Sequence, residues 1–351
     1  MLRNLQSLTL WQRRLVFFTI IVGILMALLA VTWLLARQAL SGGPRARGAA
    51  LVASVSVREY AVLPDDDAFP AAVAAGPDGT LYTGSYKSGA VWSIDGTGAV
   101  KELPGSRDAI GAVSGIAVTS NGNLLIVDQE DADPRTAGGD VKRLTAAGVE
   151  VFATIDDAEG FIAPNDIVLD SAGRVYVSDP GRNEIWRFEA DGSGGTIWWV
   201  APTPPVPAEG SNVTLKRRGL TGLAYDPFRD AIIVTDPEYD EIFRVAVADG
   251  ASESIYRHGT TQRAPGFDGA TVAADGSLYI AALGTNSIVR LQDNTIEYIA
   301  SGFRGASDIE FVAPNQLVVS NFDQSSLAPV AIPLFAPQLP FALDIIELSE
   351  P

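Results

Sequence analysis

APNDIVLDSAGRVYVSDPGRNEIWRF, residues 163–188, holds three strand-like segments in succession. Ile167 to Leu169 is a short β-rich run, Asp170 to Gly173 has turn chemistry, Val175 to Ser178 alternates, and Asn183-Glu184 leads into IWRF. A meander of this kind cannot bury both of its faces alone, so it calls for copies of itself. Eight residues separate Asn165 from the turn glycine Gly173, and that frame recurs: Ala71 before Gly79, Ser114 before Gly122, Asp268 before Gly276. Two copies lack the glycine, Thr221 before Arg229 and Ser307 before Asn315. The openings read SGIAV, NDIVL, TGLAY, DGATV and SDIEF; the next segments read LYTGS, LLIVD, VYVSD, IIVTD, LYIAA and LVVSN. Six units of alternating strands, spaced by roughly 47 residues and without helical periodicity, predict a six-bladed β-propeller.

Ahead of the repeats, Leu15 to Leu35 runs without a charge between Arg13-Arg14 and Arg37. That length crosses a bilayer as a helix and exceeds the apolar region of a signal peptide, usually about 7–15 residues. The expectation is an all-β propeller behind one N-terminal transmembrane helix: residues 1–40 as tail and anchor, 41–52 as linker, 53–351 as propeller. A cleaved signal peptide is the alternative. Arginines flank both ends almost equally, so the charge rule leaves orientation open; a short tail before a first helix favours the propeller on the extracytoplasmic side. Ser41 to Gly48 reads as a mobile linker.

The first 50 residues carry six Arg and no acid, which leaves 19 cations against 42 acids in the remainder. A surface of that sign repels nucleic acid and attracts cations, though it also serves plain solubility. No cysteine is present, so disulfides, thiolate metal sites and a cysteine nucleophile are excluded. His258 is the only histidine, so neither a three-His zinc site nor a His pair can be built, and it reads as a surface residue. No GxSxG elbow appears.

Ser54 to Val62 alternates and is expected to close the ring by pairing with Ala342 to Leu348 in the last blade. Three insertions, Asp128 to Asp140, Ala201 to Arg218 and Asn321 to Phe341, should crowd the rim around the funnel. The last is apolar and proline-punctuated; Phe335, Leu339 and Phe341 are expected to pack over the funnel or meet a partner or lipid.

The six positions that begin the innermost strands form a ring: Ala71, Ser114, Asn165, Thr221, Asp268 and Ser307. PNDIVLDSAGRVYVSD (Pro164 to Asp179) and FDGATVAADGSLYIA (Phe267 to Ala281) resemble motifs of the gluconolactonase and regucalcin-like (SMP-30-like) propellers, with NHL, strictosidine-synthase-like and paraoxonase relatives behind them. The resemblance covers roughly Val55 to Leu348. It implies a divalent cation such as Ca2+ at the funnel floor, held by a first-blade Glu, a fourth-blade Asn and a fifth-blade Asp, with a third-blade Asn on substrate or metal. Asn165 and Asp268 match that pattern; Ala71 and Thr221 depart from it. Asp166, Asp179 and Asp236 are nearby acids, and Asp66 or Asp67 could stand in for the missing Glu. Asp179 and Asp236 also read as turn caps.

Two functions remain open from the sequence. One is a membrane-tethered, cation-dependent hydrolase of a small lactone or ester, with Asp268 or Asp166 as base, Asn165 and Asp268 on the metal, and Asn165, Thr221 and Arg182 on the substrate. The other is a non-catalytic propeller whose acidic rim binds a small ligand or a protein. Small-molecule chemistry of the strictosidine-synthase-like type is a third, lesser alternative.

Overall fold

The structure is a computed structural model and describes residues 9–40, 46–133, 136–202, 206–207, 217–259, 263–324, 327 and 337–349. The chain divides into two compact units, Met1–Arg45 with Ala328–Leu339, and Ala46–Leu327 with Pro340–Pro351.

In the first unit one helix runs over Leu10–Leu40. It starts with a capping box: Gln12 Oε1 accepts from the Thr9 backbone N–H at 2.9 Å, and Thr9 Oγ1 accepts from the Gln12 N–H at 3.4 Å. Arg13 and Arg14 therefore sit inside the helix rather than before it. Leu10–Ala36, 27 residues, is long and apolar enough to span a bilayer, and none of its apolar window is buried against protein.

The second unit is built of six antiparallel sheets of four strands each, with one extra strand on the fifth, and a two-stranded ribbon pairs Val206–Pro207 with Arg217–Arg218. Blade one comprises Pro70–Ala75, Leu81–Ser85, Val91–Ile94 and Val100–Glu102; blade two Val113–Val118, Leu124–Asp128, Asp140–Thr145 and Gly148–Ala153. Blade three is Ile167–Leu169, Val175–Asp179, Glu184–Phe188 and Thr196–Val200; blade four Leu223–Asp226, Ala231–Asp236, Glu241–Ala246 and Ser252–Arg257. Blade five is Phe267–Val272, Leu278–Ala282, Ser287–Gln292 and Thr295–Ser301. Blade six takes Ala306–Ala313, Gln316–Asn321 and Ala342–Leu348 from the end of the chain and Val55–Val62 from its beginning. Val55 pairs with Leu348 and Val62 with Ala342, so the ring is closed by strands from opposite ends of the propeller sequence.

Each sheet is buried on both faces, because its neighbours cover it. Blades two and three share a core with Leu125, Val127, Val177 and Trp186, and blades three and four one with Tyr176, Trp199, Ile232 and Phe243. The other four seams are built alike. This explains second strands such as LLIVD and VYVSD, in which every residue is buried.

A repeated hydroxyl bridge ties neighbouring blades near the axis. Ser178 Oγ accepts from Asp166 N–H at 3.0 Å and donates to the Thr221 carbonyl of the next blade at 2.6 Å. Thr235 does the same between Gly222 N–H and the Asp268 carbonyl, at 2.9 and 2.7 Å. Glycine is required where blades approach most closely: a methyl on Gly222 would run into the Asp268 carbonyl, and one on Gly115 into the Asn165 carbonyl and Asp166 backbone.

Several expectations are corrected by the fold. Just past Ser41 to Gly48, Ala49–Ala50 add a fifth strand to blade five beside Ser301 and Ala300. Phe341 is core rather than lid: it is fully buried against Phe69, ring centroids 4.6 Å apart. Leu339 is exposed. Phe335 and most of the apolar insertion lie outside the described residues. His258 is half-buried against Tyr256, whose hydroxyl lies 3.2 Å from Nδ1.

Candidate functional site

The inner strands begin at one end of the propeller, and their first residues surround a narrow cavity of about 40 Å³. It is lined by Ala71, Ser114, Asn165, Asp268 and Ser307 from the ring, by Asp166, Gly269 and Asp308 one position further on, and by Tyr86 and Phe322. That space holds about three waters or the reacting end of a small molecule.

The ring hydroxyls are spent on the fold. Ser114 Oγ donates to the Pro164 carbonyl at 3.1 Å and Ser307 Oγ to the Ala71 carbonyl at 2.8 Å, each reaching the next blade. Asn165 differs: among the described residues its side-chain amide makes no hydrogen bond, and it faces the cavity. An amide with two donors and an acceptor free is equipped to hold a ligand.

The acids divide by their partners. Asp166 is a clamp, its two carboxylate oxygens accepting from Leu223 N–H of blade four at 2.7 Å and from Ile167 N–H at 2.7 Å. Asp308, in blade six on the opposite side of the ring, repeats this with Val73 of blade one and Ile309, both at 2.8 Å. Asp268 has neither bond; its carboxyl takes one hydrogen bond, from the Thr221 side chain. Burial, reinforced by the charge of Asp166, pushes Asp268 up to about 7. Burial likewise raises Asp166 and Asp308 above the usual carboxylate range, and raises Glu310 to about 7. Removing a carboxylate from water disfavours its charged form, and among the described residues no cation lines the cavity to offset that. Tyr86, pushed up to about 12 by burial and then by Asp131, stays neutral and donates to Gln129 Oε1 at 2.9 Å. Phe322 packs on its edge, ring centroids 5.1 Å apart.

Other predicted residues stand elsewhere. Thr221 is not part of the cavity lining and acts through Asp268. Arg182 is away from the cavity: it pairs with Glu184 at 2.8 Å and Asp157 at 2.9 Å and lies over the Trp186 ring. Asp179 accepts from Ile162 and Ala163 N–H and Asp236 from Glu238 and Tyr239 N–H, so both are turn caps. Asp66 and Asp67 are exposed, Asp67 pairing with Lys87 at 2.6 Å. Tyr86, Phe322 and Asp308 were missed. Asp308 had a signal, the SDI of blade six repeating the NDI of blade three; the two aromatics follow second strands and vary from blade to blade.

The residues present do not fit the divalent cation that the family resemblance implies. Ala71 replaces one charged ligand, Asp166 and Asp308 have their oxygens on backbone N–H groups, and among the described residues no three His, Cys, Asp or Glu side chains converge to hold a metal. A larger groove, about 390 Å³, opens between blades four and five near Gly276, away from the inner-strand ends. Its arginines are committed, Arg244 to Glu253 at 2.7 Å and Arg229 to Asp226 at 3.1 Å. The small cavity on the axis, with its free amide and raised carboxyl, is the better candidate.

Six sheets around a short carboxyl-lined funnel define a six-bladed β-propeller. The chain belongs to the SMP-30/gluconolactonase/LRE-like family, whose profile matches residues 90–317. Among solved structures it is similar to a gluconolactonase of Xanthomonas campestris, at 17% identity and TM-score 0.60 over 86% of this chain and 95% of that one. Virginiamycin B lyase of Staphylococcus aureus shares 15% identity with TM-score 0.57, over 84% and 99%. The aldose sugar dehydrogenase of Streptomyces coelicolor shares 16% with TM-score 0.54, over 88% and 100%. At these identities the likeness is one of fold. No curated protein sequence matches the chain.

Proposed function

We propose that this protein hydrolyses a small lactone or ester in its funnel, with Asp268 as general base and Asn165 as the substrate-holding amide. The observation that carries the reading is Asp268, a carboxyl in the cavity with one hydrogen bond and an affinity for protons raised to about 7. A base is most effective when its pKa lies near the working pH, and such catalysis contributes about 10²–10⁴-fold. Asp268 takes a proton from water as the oxygen attacks the carbonyl carbon. The tetrahedral centre then collapses, the ring C–O bond breaks, and Asp268 returns the proton to the departing alkoxide. The Asn165 N–H donates to the carbonyl oxygen as charge gathers there. Asp166 does not touch the reacting atoms; its charge keeps Asp268 basic.

The test is lactone turnover by the full chain in detergent micelles, with and without a chelator. Turnover that survives chelation and is lost in Asp268→Ala supports the reading. Turnover that depends on added calcium restores the family-type metal on Asn165 and Asp268.

A second reading, a propeller that binds a small ligand or a protein at its acidic rim without turnover, is favoured by Ala71 and by the engagement of Asp166 and Asp308 as clamps. Saturable binding with no turnover across a panel of lactones and esters would select it. The N-terminal helix supports a single-pass anchor; protease accessibility of the propeller in intact cells tests the reading that it lies on the extracytoplasmic side.

A further inference from the structure

We infer that the funnel accepts only ligands without a negative charge and releases an acid product by charge repulsion. This rests on the hydrolase reading for its second half only. The funnel lining contains Asp166, Asp268 and Asp308, and no Lys, Arg or His among the described residues. Glu310 adds a fourth enclosed carboxyl in the Asp308 strand, held by Phe311 N–H at 2.9 Å. The cations that could soften this field are engaged elsewhere. Arg304 lies over the Phe341 ring and donates to the Pro340 carbonyl, Arg107 pairs with Glu102 and Asp65, and Lys87 pairs with Asp67.

Enzymes and binding proteins that take anions place a guanidinium, an ammonium or a cluster of backbone N–H groups at the site. Here the backbone N–H groups of Leu223, Ile167, Val73 and Ile309 are already given to Asp166 and Asp308. A carboxylate entering the funnel thus meets three carboxyls and no cation among the described residues, with the Asn165 amide as the one free side-chain donor. A like charge at about 6 Å, in surroundings of effective dielectric about 20, lowers affinity by a factor of about 100. Phosphorylated and carboxylated small molecules are thereby rejected. A neutral lactone, with hydroxyl and carbonyl groups for Asn165 and an apolar face for Tyr86 and Phe322, is admitted. Its opening consumes one water, breaks the ring C–O bond and leaves a hydroxy acid that ionises beside Asp268. Substrate and product thus differ in the one property to which the site is most sensitive, and release follows the chemistry.

Two inert probes separate ligand charge from turnover: tetrahydrofurfuryl alcohol, which is neutral, and tetrahydrofuran-2-carboxylate. Their binding to the full-length protein in micelles is read by saturation-transfer NMR titration at pH 8. The alcohol should bind at least about 100-fold more tightly than the carboxylate. Ala71→Lys, which adds a cation to the ring, should narrow that gap to within about tenfold, while Ala71→Gln, of similar length and uncharged, should leave it unchanged. Equal binding of the two probes, no saturable binding of the alcohol, or the same gap in Ala71→Lys overturns the inference. Selective binding without lactone turnover defeats the hydrolase reading alone.

Discussion

Replacing Asp268 by Asn should make the propeller more stable at pH 8 while abolishing the proposed lactone hydrolysis. In the unfolded chain this carboxyl ionises near its ordinary value of 3.8, whereas in the folded protein burial, then the Asp166 charge, holds its proton up to about 7. Between those values the folded state binds a proton that the unfolded state has lost. Stability contributed by neutral Asp268 is therefore present below pH 3.8 and declines as pH rises through the window to about 7. A gap of about three pKa units corresponds to about 4 kcal/mol, and the part of the residue that opens on funnel water reduces this to about 2–4 kcal/mol. The amide introduced by Asp268→Asn cannot ionise, so the substitution removes this contribution to the slope and keeps a partner for Thr221. The assay is urea denaturation of the full chain in micelles at pH 5 and pH 8, with the propeller followed by tryptophan fluorescence. The wild type should lose stability between the two, and the variant should lose about 1–3 kcal/mol less, because pH 5 to 7 spans about two of those three units. Asp166, Asp308 and Glu310 keep a residual slope in both. An identical slope in wild type and variant would show that Asp268 is well solvated, and the base assignment would fall with it.

Thr235→Val removes the bridge between Gly222 N–H and the Asp268 carbonyl, and should cost about 2–3 kcal/mol in denaturation because both partners lose their bond. Gly222→Ala forces a methyl against that same carbonyl and should destabilise by about 3 kcal/mol, read as a lowered Tm. Arg182→Ala should leave lactone turnover unchanged, since its guanidinium is held by Glu184 and Asp157 outside the cavity; a large rise in KM would return it to the site.

The repeat was legible because its physical demands recur. Gly79, Gly122, Gly173 and Gly276 all sit at positive φ in the turn between first and second strands, a conformation glycine adopts at least cost. Five of the six second strands announce themselves by three consecutive apolar residues, LLI, VYV, IIV, LYI and LVV, as suits a sheet covered on both sides. The ring positions could be counted from those turns, which is how Asn165 and Asp268 emerged together. Direction was harder to read. Arg182 is three residues beyond the strand that ends at Asp179, close in sequence to the funnel wall, but Glu184 and Trp186 draw it outward. Phe341 is expected over the funnel or against a partner because it ends an apolar, proline-rich insertion, yet it stands just before the strand Ala342–Leu348 and packs against Phe69. The roles of Asp166 and Asp308 depend on N–H groups of another blade, 57 and 235 positions away, and nothing local encodes that.

The last blade sets the order in which this chain can mature. Val55–Val62 leaves the ribosome early, but its partner Ala342–Leu348 follows only after the other blades have been made. Until then a nascent chain carries an early strand with no mate, and its half-built ring offers an unpaired border to proteases and to other chains. A product cut short before Ala342 keeps that border for good. Quality control could thus tell whole molecules from fragments by a single test, whether the circle has shut.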